Sequence, residues 1–308
     1  MDFPEPETLF DDYTTRGPQM KTQELTIDRH MGYAFDFKVR ELKNEPTLQY
    51  IRDSWLMAMA EMDSKQRATW EAIYDKKNEE FLKNPPVGKD LLRWKYQRYV
   101  KEYCRTIRSV DEQVGRLLDY LEEKGVLDNT VIVYTSDQGF LLGEHGLYDK
   151  RFMYEESFRT PLIISCPSLV KKHSVCKELV QNIDLAPTFL SLAGVEVPKE
   201  MSGRSLLPLF KNGKAENWRN ELYYHFYDYP AVGSVRKHDG IRTKRYKLIH
   251  WYGEGSGNDE AIDFWELYDL KKDVMEVNNV YDNPKYVKVR EALTVQLEKL
   301  RKDVGVTE

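Results

Sequence analysis

Thr130-Val131-Ile132-Val133-Tyr134-Thr135-Ser136-Asp137-Gln138-Gly139 is the stretch on which the fold turns. Its first six residues are all β-branched or aromatic, and a short unbroken run of this kind reads as a buried parallel strand. Ahead of it, Leu92, Tyr96, Tyr99, Tyr103, Ile107, Val110, Val114, Leu117 and Leu121 recur at steps of three and four. That spacing predicts an amphipathic helix over residues 89–124, packed on something wide such as a sheet and stopped by Gly125. After a charged loop, Leu162-Ile163-Ile164-Ser165-Cys166 reads as a second strand of the same kind. Asp184 then caps a helix through Leu192, with Pro187 in its first turn and Gly194 past its end. Helix, strand, loop, strand, helix is the grammar of an α/β fold.

The flanks read differently. Residues 1–45 are rich in Pro and charge with little periodicity, which predicts an extended surface segment with short helical pieces. Residues 64–83 are helical, with Ser64 as the N-cap and Pro85-Pro86 as the stop. Beyond Lys211-Asn212-Gly213, residues 221–227, 240–251 and 264–270 alternate or run apolar between Gly, Asn and Asp, as antiparallel strands do. Residues 285–301 close the chain as a helix. The expected division is a larger α/β part over 1–215 and a smaller antiparallel sheet plus helix over 216–308.

Composition excludes some classes. Forty-six basic against 51 acidic side chains leave a net charge of −5, without the basic excess that nucleic-acid binding demands. No segment reaches the roughly 18 consecutive apolar residues of a membrane span. MDFPEPETLFDDY shows no basic-then-apolar leader pattern. Cys104, Cys166 and Cys176 match no zinc spacing and read as free thiols. The abundant Tyr and Trp read first as strand and core packing, and second as sugar-stacking rings.

The residues that carry chemistry follow the first strand. Asp137 and Gln138 sit where the strand ends, and in open parallel sheets that end lines the ligand crevice. A carboxylate and an amide oxygen suit a hard cation such as Ca²⁺ or Mg²⁺, and Gly139 lets the chain turn beside it. Lys150 follows on a returning loop, where an ammonium can meet a sulfate oxygen or a leaving group's developing charge. Taken singly, Asp137-Gln138 reads as a turn or cap, Lys150 as a solvated charge, His145 as a surface or hydrogen-bonded histidine and Glu155-Glu156 as a helix start.

Together they resemble a known family. VIVYTSDQGFLLGEHGLYDKRFMYEESFRTPLII (131–164) is similar to the second signature region of formylglycine-dependent sulfatases, which have the alkaline-phosphatase-type α/β fold. VDEQVGRLLDYLEEKGVLDNTVIVYTSD (110–137) resembles the helix and strand leading into it, and NIDLAPTFLSLAGVEVPKEMSGRSLLPLF (182–210) the segment after it. RTKRYKLIHWY (242–252) and FWELYDLKKD (264–273) resemble the family's small C-terminal sheet. The pattern is most similar to bacterial sulfatases acting on sulfated glycans, including relatives of N-acetylglucosamine-6-sulfatase and iduronate-2-sulfatase. The resemblance implies Asp137 and Gln138 as a metal-ligand pair for Ca²⁺ or another divalent cation, Lys150 on the sulfate, His145 beside the pocket and His238 toward the sugar. It also implies a sulfated glycan substrate and, for a complete enzyme, a periplasmic or secreted location. Its chemistry is attack on sulfur by a hydrated formylglycine, departure of the sugar hydroxyl, then expulsion of sulfate with return of the aldehyde.

The sequence departs from the family at one decisive point. The nucleophile is made from Cys or Ser in a Cys/Ser-x-Pro-x-Arg motif, which these 308 residues do not contain. Cys166-Pro167-Ser168 has the wrong spacing. Asp11-Asp12, a tempting replacement for the family's upstream paired aspartates, lies in a stretch resembling a later surface segment and is set aside. Met1 therefore reads as an internal start, and the partner expected is the N-terminal half of the enzyme. Two readings stay open: the C-terminal portion of a sulfatase, or a non-catalytic, glycan-binding remnant. A phosphoesterase of the same superfamily is a distant third.

Overall fold

The computed structural model describes residues 2–39, 49–230, 232–257 and 259–306. Met1 and residues 40–45, on which two of the expectations above fall in part, lie outside the described residues. After the short α1 (Gln19–Thr22), three helices follow: α2 (Gln49–Glu61), α3 (Ser64–Lys83) and α4 (Gly88–Glu123). Asp63, not Ser64, is the N-cap of α3, in a reciprocal capping box with Gln66. The 36 residues of α4 span about 54 Å.

The N-terminal half of α4 buries its stripe. Tyr96 and Val100 pack with Leu9, and Tyr99 packs with Ile27, Met31, Phe37, Val39 and Phe81. Tyr96 donates its hydroxyl to the Pro4 carbonyl at 2.6 Å, and Gln97 exchanges two hydrogen bonds with Phe3. The opening segment is thus core rather than surface, a correction with a simple cause. It threads between regular elements as irregular chain, and only regular elements write a period into a sequence. The C-terminal half of α4 leaves Ile107, Val110, Leu117 and Tyr120 exposed.

The two apolar runs become β1 (Ile132–Thr135) and β4 (Leu162–Ser165), paired antiparallel, with Thr135 opposite Leu162. The expectation of buried parallel strands is corrected on both counts. The intervening loop folds back on itself, and Thr135 Oγ1 donates to the Pro161 carbonyl at 2.9 Å to close the reversal. Tyr134 is 41% and Ile163 63% exposed. An apolar run records propensity for a strand but not its direction. Within the loop, β2 (Leu141–Leu142) and β3 (Tyr148–Asp149) pair around a 3₁₀ turn, and α5 (Glu155–Phe158) follows.

Beyond β4 come α6 (Leu185–Leu192) and α7 (Leu207–Phe210). The Asp184 carboxylate does not cap α6. It accepts from the amides of Gln181 and Arg204 and takes Arg219 on both oxygens. The chain then builds one antiparallel sheet in the order β5 (Glu221–Phe226), β6 (His238–Thr243), β7 (Tyr246–Gly253), β8 (Ile262–Asp269). The run expected as a single strand is two, reversing at Lys244-Arg245, where Thr243 Oγ1 accepts the Tyr246 amide at 2.9 Å. On one face α8 (Val287–Asp303) sets Leu293 and Leu297 on Ile241, Leu248 and Leu267. On the other, Ile249, Trp251 and Tyr268 cluster with Leu141, Leu147, Phe152, Met153 and Tyr154, so residues on both sides of position 215 share one core. Phe152 and Met153 are fully buried, each worth about 1.5–3 kcal/mol relative to exposure. Among the described residues no helix is long and apolar enough to cross a membrane.

Candidate functional site

Below β1, residues 137–140 are tied to α5. Gly139 donates its amide to the Ser157 carbonyl at 2.8 Å, and Phe140 donates to the Glu156 carbonyl at 2.7 Å. A Cβ on Gly139 would stand 2.1 Å from the Glu156 carbonyl oxygen. Glycine is required here for close approach of two backbones, whereas the sequence had suggested a sharp turn. The Asn182 side-chain amide donates to the Asp137 carbonyl, leaving the Asp137 side chain exposed, 3.2 Å from Ser136 Oγ.

Lys150 is fixed by the same helix. Asp149 before it adopts a left-handed conformation, φ 71°, and the Lys150 carbonyl accepts Ser157 Oγ at 2.5 Å. One turn of helix therefore clamps both loops. Asp137, Gln138 and Lys150 come together on a single groove of about 1390 Å³, with Thr135, Glu155 and Arg242 also in its wall.

His145 and His238 lie outside that lining, each fully buried. His145 sits at φ 56°, held by Thr8 Oγ1 on its amide at 2.9 Å and by the Tyr13 hydroxyl on its carbonyl at 2.6 Å. Its Nδ1 is 2.9 Å from Asp11 Oδ2 and 2.8 Å from Arg16 Nη2. Burial pushes the His145 ring below its usual range. Burial acts upward on Asp11, but the hydrogen bond from His145 and the Arg16 charge outweigh it and hold the carboxyl at about 2. Asp11 is thus a buried ion partner and not a surface residue. His238 stacks on Trp251 at 4.1 Å and donates Nδ1–H to the Arg236 carbonyl at 2.9 Å; burial pushes it down to about 4. Its neighbour Tyr224, 5.5 Å away, lines the groove.

Sequence reasoning missed the charges beneath the groove. Lys247 Nζ, fully buried, lies 2.9 Å from Glu155 and 2.7 Å from Glu276, and Arg242 holds the other Glu155 oxygen at 3.0 Å. Burial raises the Glu155 carboxyl, but Lys247 and then Arg242 outweigh it and hold it at about 2. Glu276 in turn accepts the Glu155 amide at 2.6 Å. Glu155-Glu156 does begin a helix as expected. An acid in a first turn looks the same in sequence whether it meets water or a buried lysine.

Asp137 and Gln138 offer two oxygen donors of the type a hard cation takes. Among the described residues, no group of three or more His, Cys, Asp or Glu gathers as a metal site. A Ca²⁺ ion takes 6–8 oxygens, so these two residues fit as part of a coordination shell.

Residues 11–195 match the family model described as sulfatase, and residues 143–303 match that of N-sulphoglucosamine sulphohydrolase, C-terminal. An N-acetylglucosamine-6-O-sulfatase of Bacteroides thetaiotaomicron is 45% identical over 302 residues, which are 97% of this chain and 52% of that protein. The N-acetylglucosamine-6-sulfatase of Homo sapiens is 40% identical over 124 residues, 40% of this chain and 22% of that protein. A solved structure of a protein in complex with its substrate D-glucosamine-2-N,6-O-disulfate superposes with a TM-score of 0.88 at 44% identity, covering 98% of this chain and 60% of that one. The chain spans about half the length of the first of these relatives.

Proposed function

The chain belongs to the sulfatase family, with its alkaline-phosphatase-like α/β fold, and we propose that it is the C-terminal portion of a sulfuric ester hydrolase for sulfated glucosamine glycans. The observation that carries this reading is the likeness, over 98% of the chain, to a structure whose own substrate is a disulfated glucosamine. In this reading Lys150 neutralises charge on a sulfate or bridging oxygen. Asp137 and Gln138 supply two oxygens to a divalent cation, which when bound would act as a Lewis acid on the sulfate. His238 supports the sugar side of the groove through Tyr224. The partner is the N-terminal portion of the fold, which in the family carries the formylglycine.

A second reading, a non-catalytic glycan-binding module, is favoured by one fact: the 308 residues contain no Cys/Ser-x-Pro-x-Arg. The experiment is sulfate release from D-glucosamine-2-N,6-O-disulfate, by the chain alone and with the N-terminal portion of the Bacteroides relative added as a separate polypeptide. We expect release only with both. Binding of the sugar without release in the mixture would select the second reading, and neither binding nor release would overturn both.

A further inference from the structure

His145 Nε2 and Glu156 Oε2 are both buried without a hydrogen-bond partner, and they face each other at 3.9 Å. The far side of the imidazole is committed. A bare Nδ1 lone pair 2.9 Å from the Asp11 carboxylate would be repulsive, so Nδ1 carries the hydrogen and donates it. Arg16 Nη2, close by, has two hydrogens of its own, given to Asp11 Oδ2 at 3.1 Å and to the Glu276 carbonyl at 2.6 Å. A neutral ring protonated on Nδ1 presents its lone pair at Nε2, toward Glu156.

We propose that Glu156 holds a proton toward His145 Nε2, and that the buried series Asp11–His145–Glu156 positions the loop carrying Asp137 and Gln138. The mechanical link is the main chain of Glu156, whose carbonyl receives the Phe140 amide and abuts Gly139. With the proton in place, a neutral Glu156 carboxyl faces the Nε2 lone pair across 3.9 Å with no charge to repel it, and the series is anchored at its far end by Arg16. When the proton leaves, it passes to water by way of the carboxyl group, whose side chain is 23% exposed. A carboxylate then remains beside Glu276 and Glu144, with Lys247 the attracting charge. The ring itself is faced by Asp11, Arg16, Asp273 and the Tyr154 ring. Burial, then Glu276 and Glu144, push the Glu156 carboxyl up to about 7, so the acid form is available near neutrality. The left-handed backbone at His145 is of the kind that persists where its surroundings over-determine it, and such positions gather at functional sites.

This deepens the reading of the groove, and rests on it only in calling the 137–140 loop functional. The test needs no turnover, so a failure of the sulfatase assay leaves it standing. Isotope-labelled full chain is titrated from acid to alkaline pH, following the Gly139 and Phe140 amide signals and the His145 ring nitrogens by NMR. The expected result is movement of both amides with one midpoint near 7, shared by His145 Nε2. Glu156→Gln, which keeps a donor but cannot ionise, should leave those amides flat across the range with little change in melting temperature. His145→Gln should displace the midpoint by about a unit, a tenfold change in proton affinity. Amides that are flat in the parent chain, or that still titrate in Glu156→Gln, would overturn the proposal. Should that variant not fold, an unmoved midpoint in His145→Gln does the same.

Discussion

Lys247 is tied to Glu155 at 2.9 Å, and the lysine is wholly out of water. A sheet residue and a groove residue are thereby locked across a boundary that the sequence placed between them. Removing one partner of a buried pair costs about 3–5 kcal/mol, because the other charge is stranded. Glu276 remains beside Lys247 at 2.7 Å, so Glu155→Ala should fall near the lower limit, about 3 kcal/mol. Denaturant unfolding measures it. Lys247→Met with Glu155→Gln should cost less than the two single changes summed, and additivity would show that the pair is not coupled.

His238 makes a signed prediction in acid. Its pKa falls from 6.5 unfolded to about 4 folded, with burial as the cause. Between those values the unfolded chain binds the extra proton, so stability rises with pH. The contribution is complete above 6.5 and disappears as pH falls through about 4, a difference of about 3 kcal/mol. His238→Phe should flatten that part of the stability profile; an unchanged slope in the variant would assign the acid sensitivity elsewhere.

Gly139→Ala should be costly although the residue lies in a loop. The added methyl would meet a backbone oxygen at 2.1 Å, which no side-chain rotation relieves. Overpacking of this sort costs about 1–3 kcal/mol. The substitution should also weaken protection of the Phe140 amide. Normal stability with normal exchange would mean that the close approach is not present in solution.

Lys150→Ala, tested in a mixture competent for sulfate release, should lower kcat by about 10²–10³ while leaving the melting temperature of the chain nearly unchanged. A loss confined to KM would make Lys150 a binding residue only.

The β1–β4 pair should exchange its amides well before β7. Two strands alone are marginal, and Tyr134 and Ile163 face water. By contrast, β7 is flanked by β6 and β8, with Ile249 and Trp251 fully buried. Equal protection in a monodisperse monomer would show that β1–β4 is already covered.

What was legible beforehand follows a physical rule. The helix α4, the antiparallel character of the C-terminal sheet, α8 and the placement of Asp137, Gln138 and Lys150 along one groove were visible, because amphipathic period and a strand-end motif are local properties; the reversal at Lys244-Arg245 that makes two strands of one was not. The burial of Leu9, Ile27 and Phe37 was not, because irregular chain carries no period. Nor was strand direction at β1, which is decided by how the next 26 residues fold back from Thr135 to Pro161. The series Asp11–His145–Glu156 was hidden for another reason. Its members lie 134 residues apart at one end, and no composition rule pairs an aspartate with a histidine at that distance.

The shared core of Phe152, Met153 and Tyr154 with Trp251 and Tyr268 has a bearing on dissection of the molecule. The 141–154 segment works as a keystone: the arch of the C-terminal sheet bears on it from one side and the groove loops hang from the other. A cut at residue 215 passes between two pieces that are separate along the chain yet wedge each other in space. Neither fragment would keep its shape by lengthening a linker or adding a solubility tag. A dissection that respects the masonry starts upstream of residue 141, so that the keystone leaves with the arch.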